Sequence, residues 1–266
     1  MTPRPLSSLS PAHLAQARVL AADIDGTLTT QGRIEAATVA DLCRLRSAGL
    51  AVVLVTGRSA GWAAALAAYL PCIQGVVAEN GAVLVPAVGP GQPEPSPLLL
   101  DEPGARPGQA PLEVLDRALA EVLARYPAAR PGADNFCRLS DRTVEVGPGI
   151  SPAGVREVAA RHGLAHTHST VHHHLSASHL DKRSGLLRAL ARLALAPPEE
   201  RAVLTVGDSA NDRPLFAPAF ALSVGVSGVL AHLEALEGAE PSYVTAADGG
   251  AGFSELVDRV VGARRS

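Results

Sequence analysis

The chain has 266 residues, 47% hydrophobic, 18% charged and 3% aromatic, with a net charge of −3. This length suits one large domain or two modest ones around an aliphatic core, and the charge gives no basic field for nucleic acid as the main partner. No apolar run approaches the roughly 20 residues of a membrane span, and the opening Met1-Thr2-Pro3-Arg4-Pro5 shows no apolar stretch with a cleavage site, so no membrane partner and a cytoplasmic location are expected.

Taken in chain order, the residues up to about Pro11 read as a ragged, Pro- and Ser-containing tail. Residues 18–27, Arg-Val-Leu-Ala-Ala-Asp-Ile-Asp-Gly-Thr, read as a buried strand running into a turn. Val39, Leu42 and Leu45 are close to helical spacing within 35–48, and Gly49 stops that helix. A second apolar strand over 51–55 ends at Thr56-Gly57-Arg58, an Ala-rich helix covers 60–70, and a third strand over 75–78 ends at Glu79-Asn80-Gly81. Strand and helix alternate with apolar residues on both strand faces, the signature of a parallel, doubly wound sheet.

The pattern breaks over 86–111, which is crowded with Pro and Gly and reads as a linker, a long loop or the mobile edge of an inserted domain. A helix over 112–125, a strand over 142–146, a Ser-capped helix over 151–162 and an alternating strand over 166–176 follow. A helix over 184–194 leads to a buried strand over 202–206 ending in Gly207-Asp208-Ser209-Ala210-Asn211-Asp212. Short strands over 221–224 and 242–244, with a helix between them, and a closing helix over 252–261 complete the chain. The expected fold is α/β: a Rossmann-like doubly wound core over 1–85 and 180–266, with a smaller α+β cap domain, 86–179, inserted. Cys43, Cys72 and Cys137 fit no Cys-x-x-Cys spacing and read as buried or half-buried thiols in a reducing compartment.

Reactive side chains stand at four strand ends: Asp23 and Asp25, Thr56, Asn80, and Asp208 with Asp212. Ligands of open parallel sheets bind outside the carboxyl ends of the strands, so these groups can converge in one crevice. One alone would be an ordinary turn or cap; four in order point to phosphoryl transfer. An aspartate can serve as nucleophile through an acyl phosphate. A carboxylate two residues on can protonate the leaving oxygen and then deprotonate water. Because carboxylates repel a phosphate dianion, a divalent metal must bridge them, and Mg2+ suits Asp23, a backbone carbonyl and Asp208. Thr56 and Lys182 offer a hydroxyl and an ammonium to the phosphoryl oxygens.

DxDGT, a strand-terminal Thr, a later Lys and GDxxND resemble the four motifs of the haloacid dehalogenase-like hydrolase superfamily. Here they are Asp23-Ile24-Asp25-Gly26-Thr27, Thr56, Lys182 and Gly207-Asp208-Ser209-Ala210-Asn211-Asp212. Glu79-Asn80-Gly81-Ala82, and Tyr243-Val244-Thr245 followed by Gly249-Gly250, resemble the subgroup whose α/β cap lies between the second and third motifs. The resemblance implies Asp23 as nucleophile, Asp25 as acid/base, and Thr56, Gly57, Lys182 and Asn211 around the phosphate. It implies Mg2+ on Asp23, the Asp25 carbonyl and Asp208, with Asp212 helping directly or through water.

Within that subgroup, His173-His174-Leu175 and Asp181-Lys182 are similar to the branch of phosphoglycolate, sucrose-phosphate and mannosyl-3-phosphoglycerate phosphatases, with His in place of an aromatic residue. A small phosphorylated metabolite is the implied substrate, hydrolysed by a monomer or homodimer, and a sugar phosphomutase is the alternative. Candidate substrate contacts are Asn80, Arg58, Arg138, Arg142 and His174. Arg138 and Arg142 read more readily as ordinary surface charges. Only His172 and His174 of the histidine run can share a strand face.

Overall fold

Val19–Ala22 is buried at all four positions, because Val, Leu and Ala there meet apolar partners on both faces of a nine-stranded sheet. The computed structural model describes residues 2–89, 91–100, 112–169, 171–195, 200–220 and 222–265. From edge to edge the strands run Arg4–Pro5, Tyr243–Val244, Leu222–Gly225, Val203–Gly207, Val19–Ala22, Ala51–Val55, Gly75–Ala78, Val83–Pro86 and Leu98–Leu99. All pair in parallel except the last two, which join antiparallel. Successive strands step outward from Val19–Ala22 on one side, and from Val203–Gly207 on the other as far as Tyr243–Val244, beyond which the first strand, Arg4–Pro5, forms the edge. The strand order therefore reverses between these two, the place where such sheets bind ligands.

Helices cover both faces. Ala36–Ser47, Ala60–Tyr69 and Gly249–Arg265 bury Leu42, Leu45, Ala63 and Phe253 against one side, and Lys182–Arg192 buries Leu186, Ala189 and Leu190 against the other. Each large aliphatic or aromatic side chain so buried contributes about 1.5–3 kcal/mol, which lets a chain poor in aromatics hold its core. The α/β sheet expectation is met.

Two expectations are overturned in this layer. The N-terminus is not a ragged tail: Arg4–Pro5 pairs with Tyr243–Val244, a helix spans Pro11–Gln16, and Leu6, Leu9 and Leu14 are buried. Pro5 is tolerated because an edge strand needs no donor on its outer side. Nor are Cys43 and Cys72 free thiols, for they form a disulfide with Cα atoms 4.9 Å apart. Consecutive helices on the same sheet face bring together two positions 29 residues apart.

In the 86–111 segment, Leu98–Leu99 extends the large sheet and Leu100 joins its core, while 90 and 101–111 lie outside the described residues. The inserted segment then packs its own core. Leu115, Val122, Val155 and Val158, from helices Leu112–Arg125 and Pro152–Arg161, meet Val144 and Leu175 on a three-stranded antiparallel sheet. The single strand expected over 166–176 is instead a hairpin of Ala165–His168 and His172–Ser176. Ser169 Oγ accepts from the backbone N–H groups of Val171 and His172, both at 3.1 Å, and closes the turn. Polar residues alternate straight through that turn and so conceal it. After it, His173 shares the helix-covered face with His166 and His168, while His172 and His174 face the core.

Candidate active site

Asp23 follows the Val19–Ala22 strand and is 5% exposed. Lys182 opens the Lys182–Arg192 helix, whose first turn is capped by Asp181 accepting from Ser184 N at 2.7 Å. The helix reaches this depth because Gly185 rests on the Glu79–Gly81 turn: a Cβ on Gly185 would stand 2.2 Å from the Gly81 carbonyl oxygen. Lys182 Nζ then donates to Asp23 Oδ1 and to Asp212 Oδ1, both at 2.7 Å. The other oxygen of Asp212 accepts from the N–H groups of Asp208 at 3.0 Å and Ser209 at 3.2 Å. Asp208 accepts from Thr27 Oγ at 3.3 Å. Gly26, at φ +85°, leaves room for it, since a Cβ there would meet Asp208 Oδ2 at 2.3 Å.

Carboxylate oxygens of Asp23, Asp208 and Asp212 thus lie within 4.8 Å of one another, with one ammonium among them. The electrostatic consequences follow. Burial, then the neighbouring Asp212 and Asp208 carboxylates, push Asp23 well above the usual carboxylate range despite Lys182. Burial and Asp212 raise Asp208 to about 7. Burial opposes the charge on Lys182, but Asp212 and Asp23 outweigh it and hold the ammonium above its ordinary value. A cluster of hard oxygen donors carrying more negative charge than its one cation neutralises fits a divalent metal ion. Asp25 is more exposed and receives both Arg58 Nε at 2.8 Å and Arg58 Nη2 at 2.6 Å, while the guanidinium lies 5.0 Å from the Trp62 ring centre.

Asp23, Asp25, Lys182, Asp208 and Asn211 line a single cleft. Gly57, Arg58, Arg138 and His174 from the expected set also line it, so most of the residues chosen from sequence converge. Thr56 and Asp212 are buried beneath; Thr56 Oγ accepts from Arg58 N at 3.1 Å. Asn80 lines an adjoining cavity and accepts from Asn211 Nδ2 at 3.2 Å. Arg142 does not share that cleft. It projects to the opposite face of its strand, 7% exposed, and bonds Asp116 Oδ1 at 2.7 Å.

The cap is held by Arg138, chosen from the sequence only as a substrate contact or surface charge, and by Asp134, Asp141 and Glu79, which sequence reasoning did not select. Arg138, 3% exposed and no surface charge, donates to Asp134 Oδ1 at 2.9 Å, Asp141 Oδ1 at 2.8 Å and the core carbonyl of Gly57 at 3.2 Å. Burial disfavours its charge, yet Asp141 and Asp134 raise its pKa. Asp141 also accepts from His174 Nδ1 at 2.8 Å. Burial alone would raise Asp141, but Arg138 and His174 bring it below its usual value. From the core, Glu79 accepts from Ala60 N at 3.0 Å, Leu139 N at 2.9 Å, and Ser140 N and Oγ at 2.6 Å each. Burial and nearby Asp141 raise its pKa. His172, Ser169 and His232 also line the cleft. Strand pairing that sets His174 two places from Asp141's partner Ser176 carries no sequence signal, and neither does the helical run that brings His232.

No helix among the described residues is long and apolar enough to cross a membrane. The family model of the haloacid dehalogenase-like hydrolases matches residues 20–89. A phosphoglycolate phosphatase of Halorubrum lacusprofundi is 32% identical over 206 residues, covering 75% of this chain and 80% of its own. One from Aeropyrum pernix is 29% identical over 259 residues, covering 94% of this chain and 95% of its own. Among solved structures, a Thermoplasma acidophilum protein superposes with a TM-score of 0.71 at 19% identity, over 92% of this chain and 98% of that one. With these relatives and this fold, the chain belongs to the haloacid dehalogenase-like hydrolases, as one of their capped phosphatases.

Proposed function

We propose that the chain is a Mg2+-dependent phosphatase acting on a small phosphorylated metabolite, 2-phosphoglycolate first among the candidates, through an aspartyl phosphate on Asp23. The observation that carries this is Asp23 buried beside Lys182 and Asp208 at the floor of the cleft, one oxygen bonded to Lys182 and the other left for attack. Phosphoglycolate is the substrate named for the relatives that align over most of both chains.

Asp23 Oδ2 attacks phosphorus as the bond to the leaving oxygen breaks, and Asp25 gives that oxygen its proton. Asp25 then takes a proton from water, whose oxygen attacks the aspartyl phosphate, releasing inorganic phosphate and restoring Asp23. Lys182 holds the Asp23 carboxylate and, with Thr56, Gly57 and Asn211, surrounds the phosphoryl oxygens. Asp23, the Asp25 carbonyl and Asp208 would hold Mg2+, with Asp212 behind them, and the ion supplies the charge that lets a phosphate dianion approach carboxylates. We assign 86–179 to the cap that closes this site and excludes water, Leu98–Leu99 being its tie to the core sheet. A cytoplasmic location, as monomer or homodimer, goes with a soluble metabolite as substrate.

The test is Asp23→Asn. It is expected to lose about a thousandfold or more of kcat with the melting temperature kept. Near-normal phosphate release by that variant would end the covalent mechanism.

A further inference from the structure

Besides the carboxylate cluster, the cleft offers hydrogen-bond donors. Among the described residues, every carboxylate lining it belongs to the hydrolytic centre (Asp23, Asp25, Asp208); Arg58 is bonded to Asp25, and His172, His174, Ser169 and Asn211 also line the cleft. Beyond the hydrolytic centre a substrate carboxylate meets no further carboxylate here, and donors are what it needs. Arg138 is already taken by Asp134, Asp141 and the Gly57 carbonyl. His174 is differently placed. Its Nδ1 lies 2.8 Å from Asp141 Oδ2, so that nitrogen carries the proton facing Asp141 and the Nε2 edge is left to the cleft. Asp141 is itself fixed by Arg138 at 2.8 Å, and His172 packs edge-on with ring centres 6.2 Å apart, so the imidazole is held in one orientation.

Resting on the phosphatase reading above, we infer that His174, oriented by Asp141, reads the leaving group of the substrate, and that this leaving group carries a carboxylate. In the complex one ring nitrogen faces Asp141 and the other faces the substrate. His174 is thus a specificity residue and Asp141 a positioning residue. This goes beyond the names of the relatives, since it assigns the discrimination to one side chain.

The experiment compares kcat/KM for 2-phosphoglycolate with that for hydroxyethyl phosphate, which has an alcohol in place of the carboxylate. A charge-assisted hydrogen bond predicts that His174→Ala lowers the ratio of the two about tenfold to a hundredfold, chiefly through KM. His174→Gln, which keeps a donor at the same reach, should recover part of it. Asp141→Asn should lower the ratio in the same direction, and the double variant should add little. Equal losses on both esters in His174→Ala would make the residue structural and overturn the inference. So would a parent enzyme that hydrolyses both esters without preference. A parent enzyme that hydrolyses neither, but releases phosphate from other esters, would remove the small-acid substrate reading together with this inference.

Discussion

Glu79→Ala is the sharpest test of how cap and core are joined. The carboxylate meets three backbone N–H groups, of Ala60, Leu139 and Ser140, and the Ser140 hydroxyl, at 2.6–3.0 Å. Glu79 is 2% exposed, so its removal leaves those donors in a cavity that water fills incompletely. Each buried group left unpaired costs about 1–3 kcal/mol, and partial hydration brings the sum to about 3–5 kcal/mol. For a chain of this size that is a fall of about 6–20 °C in melting temperature. Glu79→Gln keeps the volume but turns an NH2 toward one of the donors, and should lose about half as much. Differential scanning calorimetry, with the disulfide intact, reads both. A fall below about 2 °C in Glu79→Ala would refute the reasoning, because the carboxylate would then not be the acceptor that ties residues 139–140 to the core.

Three further outcomes are expected. Reducing the Cys43–Cys72 bond, which spans 29 residues, should cost about 3–4 kcal/mol from restored chain entropy, read by denaturant melts with and without reductant; unchanged midpoints would contradict it. Burial, then His173 and His168, lower His166 from 6.5 to about 4. A base whose folded pKa is depressed contributes stability above its unfolded pKa that is lost as the pH falls, here from about 6.5 to 4. His166→Phe should therefore flatten that slope by about 1–2 kcal/mol after screening at this half-buried site, and an unchanged slope would count against it. Chelation of Mg2+ should stop phosphate release and Ca2+ should fail to restore it, since its longer, looser coordination spoils in-line geometry; full activity in Ca2+ alone would displace the metal assignment.

The doubly wound sheet was legible because its signal is local: runs such as 19–22 and 51–55 are apolar at every position, and 203–206 at all but Thr205, which only a strand buried on both faces requires. The carboxylate cluster was legible for a related reason. Asp23, Thr56 and Asp208 each follow such a run, and strand ends of a parallel sheet converge. What stayed hidden depends on pairing across long separations. The partner of Cys43 is set by how two helices lie on the sheet, and the edge strand Arg4–Pro5 exists only because Tyr243–Val244 arrives beside it. Arg138 looked like surface charge because an arginine in a polar stretch usually is. Its burial follows from Asp134 and Asp141, whose carboxylates flank it only after a short helical turn at Asn135–Cys137 folds the chain back.

The reversal of strand order at the centre of the sheet has a consequence for synthesis. Val19–Ala22 finds Ala51–Val55 soon after both leave the ribosome, but its other neighbour, Val203–Gly207, emerges roughly 180 residues later, with the whole cap made in between. Until then one flank of an apolar strand stays open to unwanted pairing, and Asp23 waits without Asp208. On the mechanism proposed above, turnover thus begins only when nearly all of the polypeptide has been made, so a product terminated before Asp208 is expected to bury hydrophobic surface yet release no phosphate.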